Sequence, residues 1–323
     1  MKHTIIRRNI ESTKTQLMQK TIVIWFMAMI CCVLWGSAFP CIKIGYQMFH
    51  ISKDAIGSQI LFAGYRFTIA GVLSIVIGSI LNGHVLIPQR KSYMKIGKLS
   101  LMQTVAQYLF FYIGLAHTEG VKASIIGGTN VFIAILMASL LFKQEKLTIK
   151  KVVGCTFGFL GLVLINITGI GLHINMHFLG EGFMLLSSIS FAFSSIYLKQ
   201  YTKTEDPVIL SGYQFIVGGL IMILIGFVTG GQIQGFTLES TAMLIYLAFI
   251  SAVAFSLWGI LLKYNPVSKV AVFNFMNPIC GVLWSAALLG EKNNAFGAKS
   301  LIALGLVCTG IYVVNYSKMD VPD

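Results

Sequence analysis

The chain consists largely of ten apolar segments, each long enough to cross a lipid bilayer. About 20 helical residues span the hydrocarbon core of a membrane. The segments are residues 21–48, 55–82, 96–116, 120–143, 149–168, 178–199, 207–230, 240–263, 267–290 and 298–317. Lipid offers no hydrogen bonds to the backbone, so segments of this length must be helical. We therefore predict an all-α polytopic membrane protein with ten transmembrane helices.

The composition supports this class and argues against others. Of the 323 residues, 56% are hydrophobic and 11% are charged, whereas soluble domains carry about 25% charged residues. The net charge is +13, and the basic residues lie in short segments between apolar runs. This pattern is typical of membrane loops, so we predict no nucleic-acid partner. Zinc-protease, esterase, phosphate-loop and clustered Cys/His patterns are absent, so we predict no enzyme, no metal site and no cofactor. The expected partners are the bilayer and a small-molecule substrate, and a homodimer is left open.

Lysine and arginine fall mostly on one side of the predicted membrane. With the N-terminus inside, counting gives eighteen basic residues inside and five outside. Cytoplasmic loops carry such an excess, so we predict a multi-pass protein of the plasma membrane with both termini cytoplasmic. Residues 1–20 would form a basic cytoplasmic tail. The apolar stretch that follows is too long for a signal peptide and is interpreted as a retained first helix.

One stretch of the chain occurs twice. Residues 64–78 read GYRFTIAGVLSIVIG and residues 212–226 read GYQFIVGGLIMILIG, at an offset of 148. Motifs in helices 1, 4 and 5 recur in helices 6, 9 and 10 at offsets of 156, 146 and 149. Five helices per half is an odd number, so the second half must enter the membrane from the opposite side. We predict two inverted repeats, 21–168 and 178–317, with a substrate site between them near the midplane.

The two copies of this stretch differ at Arg66, which is matched by Gln214. A charge inside the membrane is costly and usually faces a partner or a water-filled cavity. Arg66 therefore binds an anion or gates the path, or it is a structural residue that bonds backbone carbonyls or reaches the surface.

Helices 1 and 9 each contain a proline, which cannot donate a backbone hydrogen bond and frees an upstream carbonyl. Gly36 and Pro40 would form a hinge in helix 1, next to Trp35. Pro278 would form a second hinge, next to Asn277. The alternative at both places is ordinary packing of a kinked helix.

Polar and aromatic residues of several helices suit a site for a small polar molecule. The predicted substrate-binding residues are Trp35, Arg66, Gln107, Asn130, Gln214, Trp258 and Asn277. Side-chain amides also bond between membrane helices, so a packing role remains the alternative. Glu181 is the one candidate for a proton relay, and its alternative is a charge at a helix N-terminus. The lack of a midplane carboxylate in helices 1–5 favours neutral, zwitterionic or anionic cargo.

Four motifs together carry a family resemblance. They are WGSAFPCIK in helix 1, GYRF with a following Ala-Gly in helix 2, LLFKQEKL at the end of helix 4 and LLGEK at the end of helix 9. Together they resemble the drug/metabolite transporter superfamily and, within it, the EamA-domain family with two tandem repeats. Residues 142–144 depart from the pattern because the common glycine before Glu145 is missing, which puts the turn between helices 4 and 5 in question.

The resemblance implies a central cavity between inverted halves and transport by alternating access. It implies export or exchange of amino acids, related metabolites or drugs. We therefore expect a secondary transporter that exports amino acids or other small polar metabolites. A multidrug exporter is the alternative, and a non-transporting membrane scaffold or sensor is a third hypothesis.

Overall fold

Ten helices make up most of the residues that the structure, a computed structural model, describes. These residues are 13, 15–52, 54–117, 126–166, 177–288 and 298–316. Six helices are uninterrupted: α1 Thr21–Met48, α2 Ile56–Asn82, α5 Ile149–Asn166, α7 Pro207–Val228, α8 Leu238–Tyr264 and α10 Ala298–Asn315. The predicted all-α fold with ten helices is confirmed. Most of the predicted tail 1–20 and the predicted start of helix 4 at 120–125 lie outside the described residues.

The other four helices change their winding along their length. Helix α3 runs through Tyr93–Leu99, π-helical Ser100–Ala106 and Gln107–Ala116, and α4 runs through Asn130–Leu136 and π-helical Met137–Leu141. Helix α6 begins with π-helical Phe178–Gly182 and continues as Phe183–Tyr201. Helix α9 consists of Val267–Ala271, the 3-10 turn Val272–Phe275 and Met276–Leu288. Such changes are frequent at functional sites.

The outer surface of the bundle is apolar. Five helical segments are each long and apolar enough to cross a membrane: Thr21–Met48, Ile56–Asn82, Phe178–Tyr201, Pro207–Val228 and Leu238–Tyr264. Large side chains on their outer faces stay exposed, for example Leu81 at 80% and Leu224 at 64%. Many exposed large apolar side chains on the outer faces fit lipid and not water.

The glycines of the duplicated stretch bring α2 and α7 into backbone contact. A Cβ atom added to Gly71 would lie 2.5 Å from the carbonyl oxygen of Gly212, and one added to Gly64 would lie 3.0 Å from that of Gly219. The repeat offset of 148 matches 64 with 212 and 71 with 219. Exchanging the halves therefore converts one contact into the other. Residue 64, near the start of α2, meets residue 219, and residue 71, further along α2, meets residue 212, which comes earlier in α7. The two helices are therefore antiparallel, which confirms the inverted repeat.

Helices α5 and α10 cross in the same way. A Cβ atom on Gly154 would lie 2.7 Å from the carbonyl oxygen of Gly310, and one on Gly161 would lie 2.7 Å from that of Ala303. The offset of 149 found in the sequence exchanges these two contacts. Both crossings therefore share one pseudo-two-fold axis, which passes through the middle of each.

The first helix of each half packs into the other half. Helix α1 contacts α8 and α9, and its counterpart α6 contacts α3 and α4. Cys31 Sγ donates to the carbonyl of Ala254 at 3.4 Å, and Ser187 Oγ donates to that of Gln107 at 2.9 Å. Because of this exchange, the centre of the molecule is built from both halves.

The turn between α4 and α5 forms without the glycine that the family pattern has. Lys143 takes the left-handed conformation, with φ of 49°. The Gln144 N–H donates to the carbonyl of Ala138 at 2.8 Å, which closes the helix end as a glycine cap would. Glu145 then accepts hydrogen bonds from Lys151 Nζ at 2.8 Å and from the backbone N–H of Ser268 at 3.0 Å.

Two carboxylates join the halves at one end of the bundle. We call this end, with the loops 83–92, 142–148, 202–206 and 265–266, the basic end. Glu145 of the first half binds Ser268 of the second half. Glu205 of the second half accepts from Lys95 Nζ at 2.7 Å and from Ser92 Oγ at 2.6 Å, both in the first half. Burial opposes ionisation of Glu205, but these hydrogen bonds outweigh it and hold the pKa of its carboxyl below the usual range.

The glycine contact between α2 and α7 predicts a steric effect. Gly71→Ala should lower the free energy of unfolding by about 1–3 kcal/mol, because the added methyl group forces the two backbones apart. The matched control is Gly97→Ala, where an added Cβ meets nothing within 4 Å. Thermal unfolding of both variants in detergent checks this, and equal melting temperatures would contradict it.

The hydrogen bonds of Glu205 predict a pH dependence. A carboxyl whose pKa is lowered by folding stabilises the protein above the usual carboxyl pKa, and this stabilisation is lost as the pH falls through the lowered value. Glu205→Gln should therefore cost about 1 kcal/mol at pH 7 and much less in acid, below the lowered pKa. Melting temperatures measured across this range test the prediction, with exposed Glu239→Gln as the control that shows no such trend.

Candidate functional site

Two phenylalanines mark where the pseudo-two-fold axis crosses the bundle. Phe67 and Phe215 are matched by the repeat offset, and their rings stack with centroids 5.2 Å apart and planes at 21°. Residues that a two-fold axis exchanges can touch each other only on that axis. The axis of an inverted repeat lies in the plane of the membrane. Arg66 and Gln214, the preceding residues, therefore lie near the midplane.

Arg66 is buried and anchored to the other half through one nitrogen. Its side chain is 3% exposed. Its Nε donates to the carbonyl of Leu247 at 3.2 Å and to Ser251 Oγ at 3.1 Å, both on α8. Among the described residues, its terminal nitrogens make no hydrogen bond, and no carboxylate pairs with it. The carbonyl contact fits the structural alternative, but it uses only part of the guanidinium.

Gln214 makes the equivalent contact without a charge. Its side chain is fully buried, and its Oε1 accepts from Thr104 Oγ1 at 2.7 Å. Thr104 lies on α3, the helix that the axis exchanges with α8. The matched residues thus each hydrogen-bond to the equivalent helix of the other half, and they differ in charge.

A chain of aromatic rings leads from the axis to α1. Phe215 is 4.9 Å from Phe255, which is 5.1 Å from Trp35, and Trp35 is 5.1 Å from Trp258, all between centroids. On the other side of the axis, Tyr108 lies 4.4 Å from Phe67. These rings supply flat apolar surface at the centre of the molecule.

Most of the residues predicted to bind substrate have a buried polar atom that makes no hydrogen bond. The atoms are Trp35 Nε1, Gln107 Oε1, Asn130 Oδ1, Gln214 Nε2, Trp258 Nε1 and Asn277 Oδ1. Such an atom costs about 1–3 kcal/mol when it stays unpaired. Hydrogen bonds between helices, the packing alternative, therefore satisfy these side chains only in part.

The structure divides the predicted residues into two groups. The first group lies around the axis and consists of Arg66, Gln214, Trp35 and Trp258. Gln107 belongs with it because the neighbouring residue in the chain, Tyr108, packs its ring on Phe67. The second group is Asn130 on α4 and Asn277 on α9. Asn277 donates to Asn274 Oδ1 at 3.3 Å. Among the described residues, no hydrogen bond or ring contact joins this group to Arg66.

The predicted hinge residues lie where α1 meets α9. Helix α1 continues without interruption through Pro40. A Cβ atom on Gly36 would lie 2.5 Å from Cys280 Cβ, so this glycine allows α1 to approach α9 just beyond Pro278. The 3-10 turn Val272–Phe275 precedes Pro278 by a few residues. Both proline-containing segments are therefore in mutual contact.

Glu181, the predicted proton-relay candidate, is buried in the first turn of α6. Its Oε2 accepts from the backbone N–H of His177 at 2.8 Å. This arrangement is typical of an acidic residue at a helix N-terminus, and it lies at the end of the bundle opposite the basic end.

Three features of the site were missed in the sequence. The pair Phe67 and Phe215 was visible as an identical position of the repeat. Thr104 lies in the π-helical part of α3, which no sequence pattern indicated. Tyr46 lies close to the end of a predicted span, yet its hydroxyl group is buried and makes no hydrogen bond.

Known proteins resemble this chain over most of its length. The sequence profile of the EamA-like transporter family matches residues 22–167 and 178–316. "Uncharacterized transporter YvbV" of Bacillus subtilis is 27% identical over 301 residues, which are 88% of each chain. "Probable amino-acid metabolite efflux pump" of Salmonella typhimurium is 26% identical over 304 residues, 89% of this chain and 93% of that protein. "Uncharacterized inner membrane transporter YedA" of Escherichia coli K12 is 24% identical and covers 90% of both.

A solved crystal structure shares the fold. It has a TM-score of 0.73 and 15% sequence identity, and the match covers 89% of this chain and 94% of the other.

The bond between Thr104 and Gln214 predicts a coupled effect on stability. Thr104→Val should lower the free energy of unfolding by about 1–3 kcal/mol, since it leaves the whole buried amide of Gln214 unpaired. The same substitution should cost less when Gln214 is already leucine. The control is Thr156→Val, because this hydroxyl bonds only within its own helix. If Thr104→Val and Gln214→Leu have additive effects on the free energy of unfolding, the predicted coupling is wrong.

Proposed function

Because the chain belongs to the EamA-like transporter family, we propose that it is a secondary transporter that carries small polar metabolites across the membrane by alternating access. The relatives reported above are named as transporters, and none is named as an enzyme. The Salmonella relative is named a probable amino-acid metabolite efflux pump, which supports amino acids and related metabolites as cargo and export as the direction. The inner-membrane relative supports a location in the plasma membrane.

The unpaired polar atoms at the centre of the molecule are the observation that carries this proposal. Amide and indole groups from α1, α3, α7 and α8 offer both donors and acceptors there. A small molecule with amino, hydroxyl or carboxyl groups would satisfy them. The rings of Trp35 and Phe255 would contact its apolar part.

The basic end fits the role of a gate in this cycle. We place it on the cytoplasmic side because most lysines and arginines of the chain are at this end. Opening toward that side separates Glu205 from Lys95 and Glu145 from Ser268. Separation returns these partly buried charged groups to water, which offsets part of the cost of breaking each contact.

The multidrug alternative is favoured by the aromatic rings around Trp35. An exporter of organic cations would also need a carboxylate near them, and the described carboxylates lie in loops and at helix ends. We therefore keep polar metabolites as the cargo and include hydrophobic cations in the test.

Transport by the purified chain in proteoliposomes tests the proposal. A panel of labelled amino acids and related metabolites should include at least one with flux above that of empty liposomes. Gln214→Leu should lower this flux about tenfold or more, because losing a buried hydrogen bond costs about 1–3 kcal/mol and each 1.4 kcal/mol is tenfold.

The matched control is Gln234→Leu, the same change at an exposed loop position, and its flux should equal that of the wild type. No flux for any member of the panel would overturn the proposal. Flux of hydrophobic cations alone would replace it with the multidrug alternative.

A further inference from the structure

We propose that Arg66, Tyr46 and Tyr112 form a subsite for the carboxylate group of the transported molecule, which selects anionic and zwitterionic cargo over neutral analogues. This inference rests on the proposed transport function and names the substrate class of the same site.

Among the described residues, no carboxylate pairs with Arg66. The described carboxylates lie in loops or at helix ends: Asp54, Glu145, Glu181, Glu205, Asp206 and Glu239. A charge at the centre of a membrane costs about 3 kcal/mol or more and is normally paired. An anion that arrives with the cargo would provide the pair.

Phenol groups lie close to Arg66. Its guanidinium carbon is 5.2 Å from the centroid of the Phe67 ring, and Tyr46, Tyr108 and Tyr112 pack in the same cluster as Phe67. The Tyr46 hydroxyl is buried and has no hydrogen-bond partner of good geometry among the described residues. A guanidinium binds a carboxylate through two parallel hydrogen bonds. Because Nε already holds α8, the terminal nitrogens remain for this contact, and a phenol can add a third bond.

The second half of the chain shows that anchoring does not require a charge. Gln214 occupies the matched position and bonds the equivalent helix through Thr104 with a neutral amide. Arg66 does the same for α8 through Leu247 and Ser251. The positive charge of Arg66 is therefore additional to the structural role, and it places an electrostatic preference on one side of the axis.

The rest of the cargo would lie against the aromatic rings. Ser251, which contacts Arg66, is one helical turn before Phe255 on α8, and Phe255 packs on Trp35. One turn of helix is about 5.4 Å. A molecule of amino-acid size would therefore reach from Arg66, which would hold its carboxylate, to Phe255 and Trp35, which would contact its side chain.

The test compares amino acids with amino-acid amides, in which a neutral carboxamide group replaces the carboxylate. Full-length protein is assayed for flux in proteoliposomes and for ligand-dependent thermal stabilisation in detergent. The wild type should prefer the acid in both measurements. Arg66→Gln, which installs the residue of the second half, should reduce the acid-to-amide selectivity about tenfold or more. Arg66→Lys should keep part of the selectivity, and Tyr46→Phe should lower it several-fold.

The control variant is Lys263→Gln, which removes an exposed cation from the end of α8 and should leave the selectivity unchanged. If Arg66→Gln lowers binding and flux of acid and amide by the same factor, Arg66 is only an anchor and the inference is wrong. If Arg66→Gln does not fold, the selectivity of Arg66→Lys and Tyr46→Phe decides, and wild-type selectivity in both overturns the inference.

Binding and flux together separate this inference from the proposed function. Selective stabilisation by the acid without flux of any solute would contradict transport and support the subsite. Flux with equal rates for acid and amide would support transport and overturn the subsite. Neither stabilisation nor flux would overturn both.

Discussion

The antiparallel contact between α2 and α7 determines where everything else in the molecule lies. Helices in lipid gain no hydrophobic free energy from associating, so they depend on close backbone contact. Gly64 and Gly71 meet Gly219 and Gly212 and provide this contact. The symmetry of the crossing then brings Phe67 onto the axis. The packing of two helices thus fixes the depth of Arg66 and the centre of the site.

The helices could be predicted well because the thickness of the bilayer sets their length. The segment 21–48 is Thr21–Met48 in the structure, and 207–230 is Pro207–Val228. The inverted arrangement followed from a constant sequence offset and an odd number of helices. The π-helical Ser100–Ala106 and the 3-10 turn Val272–Phe275 could not be predicted, since their winding depends on neighbouring helices and leaves the apolar pattern unchanged.

The site could be predicted in its chemistry and only partly in its geometry. The amides and indoles are candidates because polar groups are rare within membrane helices, and their unpaired atoms agree with that reasoning. The sequence does not show which of them meet. Asn130 and Asn277 looked equivalent to Gln214, yet no described contact brings them to the axis. The place of Tyr46 does not follow from the sequence, because it depends on the contact of its ring with Phe62 of α2 and with the cluster that contains Phe67 and Tyr112.

The difference between Arg66 and Gln214 also has a consequence for how cargo would be held. A perfectly symmetric site would present the same groups on both sides of the axis and would bind a small polar molecule equally well in either orientation. One cation beside the axis removes this equivalence, because a carboxylate gains far more from a guanidinium than from an amide at low dielectric. The carboxylate end of the cargo would then point toward Arg66. Because Nε is bonded to Leu247 and Ser251 on α8, this helix would hold the cation in position while the terminal nitrogens bind the cargo.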